Sequence, residues 1–183
     1  MSTSHSPAKQ TTKQSPSADQ KAQQQAAQEL SKPGTEHAQL EKFVGTWKTS
    51  YTHWMSPDAE PVKATGKATI TSVFDGRFIH EEFTGEFQGK PFNGVGTTGF
   101  DRAAKRFVNT WYDNVSTGLI YSSGPATSNQ KEIVLRGEMT CPINGQIKVR
   151  HVYTQESDKK FTLTMYNEKD GKENKGMEVV YTR

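Results

Sequence analysis

Residues 43–54 read FVGTWKTSYTHW. Upstream of this stretch the apolar residues follow a helical period, and downstream they follow a period of two. In TEHAQLEKFV, residues 35–44, Leu40, Phe43 and Val44 share one face. Thr35 is the expected N-cap, Glu36 suits the positive N-terminal end, and Gly45 is the expected stop. From Trp47 onward, β-branched and aromatic residues alternate with polar ones. The runs are TWKTSYTHW, VKATGKATITSVF, RFIHEEFTGEF, PFNGVGTTGF, KRFVNTWYD, GLIYSSGPA, EIVLRGEMT, QIKVRHVYTQ, FTLTMYN and GMEVVYTR. Short turn-like separators such as SPDAEP, DG, QGK, DRAA, CPING and ESDK leave no space for crossover helices. About ten strands in hairpin order remove their edges by closing on themselves. The expected fold is all-β, an antiparallel up-and-down barrel with a short plug helix at its N-terminal end.

The 183 residues are 32% apolar and 23% charged, polar for one core, but the deficit is local. Before residue 37 the only large apolar side chains are Met1 and Leu30, and every aromatic lies from Phe43 onward. Residues 1–32 are therefore expected as a disordered Ser/Thr/Gln/Ala-rich tail, and residues 33–183 as one barrel domain. Ala22, Ala26 and Leu30 make a thin stripe that predicts at most a marginal helix in that tail. A net charge of +3, with cations scattered among acids, argues against nucleic-acid binding. No run approaches the ~18 apolar residues of a membrane-spanning helix, and the start of the chain lacks the apolar stretch of a signal peptide. The expectation is a cytoplasmic protein with no membrane association. Cys141 stands alone, which excludes an internal disulfide and CxxC motifs, and it reads as an incidental thiol before a turn.

Gly45-Thr46-Trp47 after a helix resembles the beginning of lipocalin-like (calycin) barrels. There the helix plugs one end, the first-strand Trp packs beneath the core, and a late Arg stacks across it. Arg183 is the residue in that position. The resemblance extends through PGTEHAQLEKFVGTWK, WMSP at 54–57, DGRF at 75–78, FNGVGTTGFD at 92–101, FVNTWYDNVST at 107–117 and MEVVYTR at 177–183. Together these resemble the bacterial family of unknown function numbered 1579 (DUF1579), over residues 33–183. Phe100 stands where the family pattern has Tyr, which removes one hydroxyl. The resemblance implies a calycin-like barrel and no established activity.

Several motifs point to chemistry on their letters alone. GVGTTG at 94–99 fits G-x-G-x-x-G, but a dinucleotide site needs it between a strand and a helix. Here it lies inside a strand, where its glycines are expected to relieve crowding at a sharp bend. His37 is expected to anchor the plug helix by a hydrogen bond. His53, His80 and His151 lie on different strands and form no local metal signature; a haem or metal role requires all three to point inward. Glu81, Glu82 and Glu86 share a strand and read as a solvated face, with acid–base chemistry the alternative. No G-x-S-x-G or partnered nucleophile is present.

The candidate ligand-binding residues are Trp47, Tyr51, Trp111, Tyr153 and Met165 as apolar walls, with Asp113 and Arg150 as polar anchors. Asp113 alternatively caps a turn, and a buried Arg150 requires an anionic partner. The resulting expectation is a non-enzymatic barrel that binds one small hydrophobic or amphipathic molecule, a carboxylate first, with no catalytic residue, metal or cofactor. The alternatives are a structural or interaction barrel with a filled interior, an enzyme using an in-barrel pair such as Glu82 and His80, and a haem or metal barrel. Oligomeric state and ligand identity are not legible.

Overall fold

The computed structural model describes residues 17–56, 59–141, 145–169 and 171–183. The disorder expected for residues 1–16 and the tip of the turn after Cys141 lie outside the described residues. Residues 1–32 and 33–183 form separate units. In the first, α1 (Ala18–Leu30) is an α-helix that buries no residue, where the composition predicts disorder or a marginal helix. Local bonds account for it: Gln20 N–H donates to Ser17 Oγ at 3.2 Å, and Ser17 N–H donates to Gln20 Oε1 at 2.8 Å. This reciprocal capping box satisfies two otherwise free helix donors.

The second unit begins with α2 (Thr35–Glu41). Ten strands follow: β1 (Gly45–His53), β2 (Val62–Val73), β3 (Phe78–Phe87), β4 (Lys90–Asp101), β5 (Arg106–Asp113), β6 (Ile120–Pro125), β7 (Glu132–Cys141), β8 (Gly145–Ser157), β9 (Lys160–Lys169) and β10 (Lys172–Thr182). Each pairs antiparallel with its sequence neighbour, and β10 pairs with β1 to close the barrel. Closure leaves no edge strand to cover.

The helix–strand junction explains FVGTWK. Gly34, not Thr35, occupies the N-cap, and Gly34 N–H donates to His37 Nδ1 at 3.0 Å. Leu40 and Phe43 pack into the core over one end of the barrel. Gly45 has φ +141°, and a Cβ there would overlap the Arg183 guanidinium. Only glycine fits both demands. Trp47 is fully buried, and its Nε1 donates to Phe43 O at 2.8 Å. Arg183 lies 4.1 Å over the Trp47 ring, donating from Nη1 to Val44 O at 2.7 Å and from Nε to Asp158 O at 2.8 Å. The last residue thus ties the first strand, the helix junction and the β8–β9 turn together.

Register carries the inward face from strand to strand. One chain of partners runs Ile70, Glu81, Gly96, Trp111 and Ile120 across β2 to β6. Another runs Leu135, His151, Met165, Met177 and His53 across β7 to β10 and on to β1. A bulge between Lys175 and Met177 resets the phase of β10, so Met177, Val179 and Tyr181 face the interior. Glu178 pairs with Lys175 outside.

Candidate interior site

The interior divides into a helix-capped end and the end opposite it, open in that no described helix of the barrel unit covers it. At the capped end, Leu40, Phe43, Ile70, Ile79, Glu81, Thr98, Ile133, Tyr153 and Phe161 surround a pocket of about 20 Å³, room for about one water. Glu81 is half-buried and lines this pocket. Its Oε1 accepts from Tyr181 Oη at 3.0 Å. Burial pushes its carboxyl up to about 7, against the opposing pull of that hydrogen bond. Tyr153 and Tyr181 are likewise raised, by burial first and then by the neighbouring carboxyl.

A belt of polar side chains crosses the inner wall. Asn109 Nδ2 donates to Thr98 Oγ1 at 2.8 Å, and Ser122 Oγ lies 3.4 Å from His151 Nδ1. Burial holds His151 neutral, with its pKa down to about 4, and lowers that of His53. Tyr51 Oη, His53 Nδ1 and His151 Nε2 are buried without a hydrogen-bond partner. Buried polar atoms are otherwise almost always paired.

Toward the open end, Trp111 stacks with Phe92 and meets Phe83 edge-on. Gly94 and Gly96 are glycines because the indole lies on them: a Cβ at Gly94 would overlap the ring, and one at Gly96 would stand 3.1 Å from it. Clearance for a side chain, rather than a strand bend, explains GVGTTG. Trp111 Nε1 donates to Asp113 Oδ2 at 3.0 Å, while Asp113 Oδ1 accepts from the N–H groups of Val115 and Ser116. Asp113 is therefore a turn cap that also orients the indole.

Trp47, Tyr51, Trp111, Asp113, Tyr153 and Met165 all stand on inward register positions, although Trp47 is absorbed by end closure. Arg150 does not. His151 pairs with inward Leu135, so its neighbour Arg150 faces out. It forms a bidentate pair with Glu173 at 2.8 and 2.6 Å and lies 3.9 Å over the Tyr166 ring. With it, on the barrel exterior, are the proposed acid–base partners Glu82 and His80. Glu82 is exposed, and His80 Nδ1 contacts Thr97 Oγ1 at 3.2 Å. The inward carboxyl is Glu81, which the sequence reading assigned to a solvated face. Its position between Ile79 and Phe83 in the apolar alternation is the signal that finds it. Because His80 faces out, His53, His80 and His151 do not converge as metal ligands, and no cluster of metal-ligating side chains occurs among the described residues. Among these residues the buried polar side chains are His37, Gln39, Thr49, Asn109, Ser122 and His151, with no lysine or arginine. No described helix is long and apolar enough to cross a membrane.

The barrel is similar to the crystal structure of Rv2717c from M. tuberculosis, with a TM-score of 0.62, 12% identity, and coverage of 83% of this chain and 99% of that one. Lower similarity is found to EF1p2_mFAP2b bound to DFHBI, with a TM-score of 0.44, 13% identity, and coverage of 81% and 99%. A redesigned β-barrel, b11L5F_LGL, gives a TM-score of 0.41, 15% identity, and coverage of 81% and 94%. No curated protein matches the chain. The family profile described as protein of unknown function (DUF1579) matches residues 32–183, and the chain belongs to that family.

Proposed function

We propose that this protein is a cytoplasmic, non-enzymatic, lipocalin-like barrel that binds one small, uncharged amphipathic molecule in its interior. The observation that carries the reading is the set of buried, unpartnered polar atoms Tyr51 Oη, His53 Nδ1 and His151 Nε2. Each unmade bond costs about 1–3 kcal/mol, which a ligand carrying a hydroxyl or carbonyl recovers. Trp111, Phe83, Phe92, Met165 and Met177 supply apolar contact around them. The first-choice carboxylate falls with Arg150, because no lysine or arginine is buried among the described residues to receive it and an unpaired buried charge is costly. A neutral alcohol fits instead. The alternative is a filled structural barrel, favoured by the small size of the pocket beneath the helix.

The test is calorimetry and tryptophan emission with 1-decanol against decanoate. The alcohol is expected to bind more tightly, and His151→Phe is expected to weaken it by about 1 kcal/mol, roughly five-fold. Absence of heat and of any emission change with either ligand, on folded protein, would establish the filled barrel.

A further inference from the structure

Nine of the ten strand junctions are held by long ladders. The β6–β7 junction is held by only three cross-strand pairs, Tyr121 with Glu138, Ser122 with Gly137 and Ser123 with Arg136. Its tight point is the pair of glycines. A Cβ at Gly137 would overlap Tyr121 O, and one at Gly124 would overlap Val134 O. Beyond Tyr121, toward the end opposite α2, the pairing stops. There β6 gives way to the loop of residues 114–119, while β7 continues to Cys141 paired with β8 alone.

This loop is anchored at one end and loose at the other. Asn114 pins its start to β4: Asn114 N–H donates to Asn93 O at 3.0 Å, Asn93 N–H to Asn114 Oδ1 at 2.9 Å, and Asn114 Nδ2 to Pro91 O at 3.1 Å. The described bonds of residues 115–118 are local ones to Asp113 and Ser116. A Cβ at Gly118 would meet nothing closer than Ser116 Oγ at 3.8 Å, so space there is open. Apolar side chains nevertheless collect on and beside the loop. Val115 and Leu119 are each 57% exposed, Tyr121 52% and Tyr112 49%. Near this rim Trp111 pairs with Ile120 across β5–β6, with its indole over Gly94 and Gly96 of β4, and Ser122, in the paired part of the seam, meets His151. The weakest ladder of the barrel therefore borders the strand that carries Ser122 and lies one strand from Trp111.

We propose that the β6–β7 seam at this rim is the gate of the barrel. The 114–119 loop is its moving part, hinged at Asn114, and Val115 and Leu119 are the apolar lip that an amphipathic ligand crosses. The gating role rests on the ligand reading above; the opening of the seam does not.

Two measurements test it. In the unliganded full chain, amide hydrogen exchange at Leu119 and Ile120 is expected to be at least ten-fold faster than at Ser122 and Ser123 on the same strand. Equal protection would overturn the gate. In a Cys141→Ser background, Leu119→Cys and, separately, Ala103→Cys at the exposed β4–β5 turn of the helix end are coupled to a maleimide-polyethylene glycol. Association of the neutral fluorescent probe N-phenyl-1-naphthylamine is then followed by stopped flow. Label at residue 119 is expected to slow association at least ten-fold, and label at residue 103 less than two-fold. Equal rates, or greater slowing at residue 103, would overturn the gate while leaving binding intact. No probe binding by any form would sink the ligand reading instead, with hydrogen exchange still deciding whether the seam opens.

Discussion

Trp47 and Trp111 both face the barrel interior, yet they serve opposite ends. Trp47 has its own polar group paired, its indole N–H meeting Phe43 O, and Arg183 covers its face while donating to two backbone carbonyls, although Thr49 Oγ1 beside it is buried without a partner. Trp111 keeps part of its ring accessible, and the buried polar atoms of Tyr51, His53 and His151 have no partner. On the proposed reading, a bound ligand would partner these unpaired atoms. The contrast therefore sets a fully buried ring against a half-buried one within one continuous sheet.

The sharpest test removes each ring. Trp47→Ala is expected to cost about 3–5 kcal/mol, the range for truncating a fully buried aromatic. Trp111→Ala is expected to cost less than half of that, because the site is already open to one side. Denaturant midpoints at constant m-value measure both. Equal losses would erase the distinction between the two ends, and a Trp47 cost below about 1 kcal/mol would place that ring outside the closure.

The next largest effect is pH-dependent, and it sets Glu81 against His151. The folded carboxyl of Glu81 sits at about 7, against an ordinary 4.5. Between those values the native state holds a proton that the unfolded chain has released. Its contribution is full below about pH 4.5 and is lost as pH rises through 7, up to about 3 kcal/mol. His151 has the reverse sign. Its folded pKa is about 4, against 6.5, so the unfolded chain binds the proton first and stability is lost as pH falls from 6.5 to 4. His37 and His53, also lowered by burial, add in the same direction. Glu81 and His151 therefore largely offset each other between pH 4.5 and 6.5, and the wild-type profile keeps only the shallow rise that His37 and His53 contribute. Glu81→Gln should unmask a profile that rises more steeply with pH across that window. Parallel profiles for the two proteins would show that Glu81 is not held neutral inside the barrel.

These residues also show what a sequence carries and what it omits. The ten strands, the plug helix and the stop at Gly45 follow from local period and turn chemistry, and the Trp47–Arg183 pair is what the resemblance to lipocalin-like barrels implies. The facing of individual strands is harder, since a one-residue slip turns every side chain over. Glu81 between Ile79 and Phe83, and His151 between Val149 and Tyr153, were legible as inward from apolar alternation. Adjacent charges in HEE and VRH obscured them. The facing of strand β10 was not legible, because the bulge at Lys175–Met177, where Gly176 sits, shifts its phase, and the size of the shift appears only when β9 supplies a register. The relation of GVGTTG to Trp111 was equally hidden, because the two segments meet only across the β4–β5 ladder.

The smallest expected effect sharpens the comparison from outside. Arg150 stands next to His151 in sequence and on the opposite face of the wall. Its pair with Glu173 is well formed, yet both side chains retain access to solvent, at 21% and 36%. Arg150→Leu is therefore expected to cost no more than about 1 kcal/mol. The loss should shrink further in 1 M salt, where the Debye length falls to about 3 Å. Decanol affinity should not move, because the substitution touches no inward side chain. A loss above about 3 kcal/mol is what breaking a buried ion pair produces. With a change in ligand affinity, it would mean that β8 presents its even-numbered residues to the interior. The inward set would then be Lys148, Arg150 and Val152, the open end would hold cations in place of His151, and a carboxylate would again be the ligand to test first.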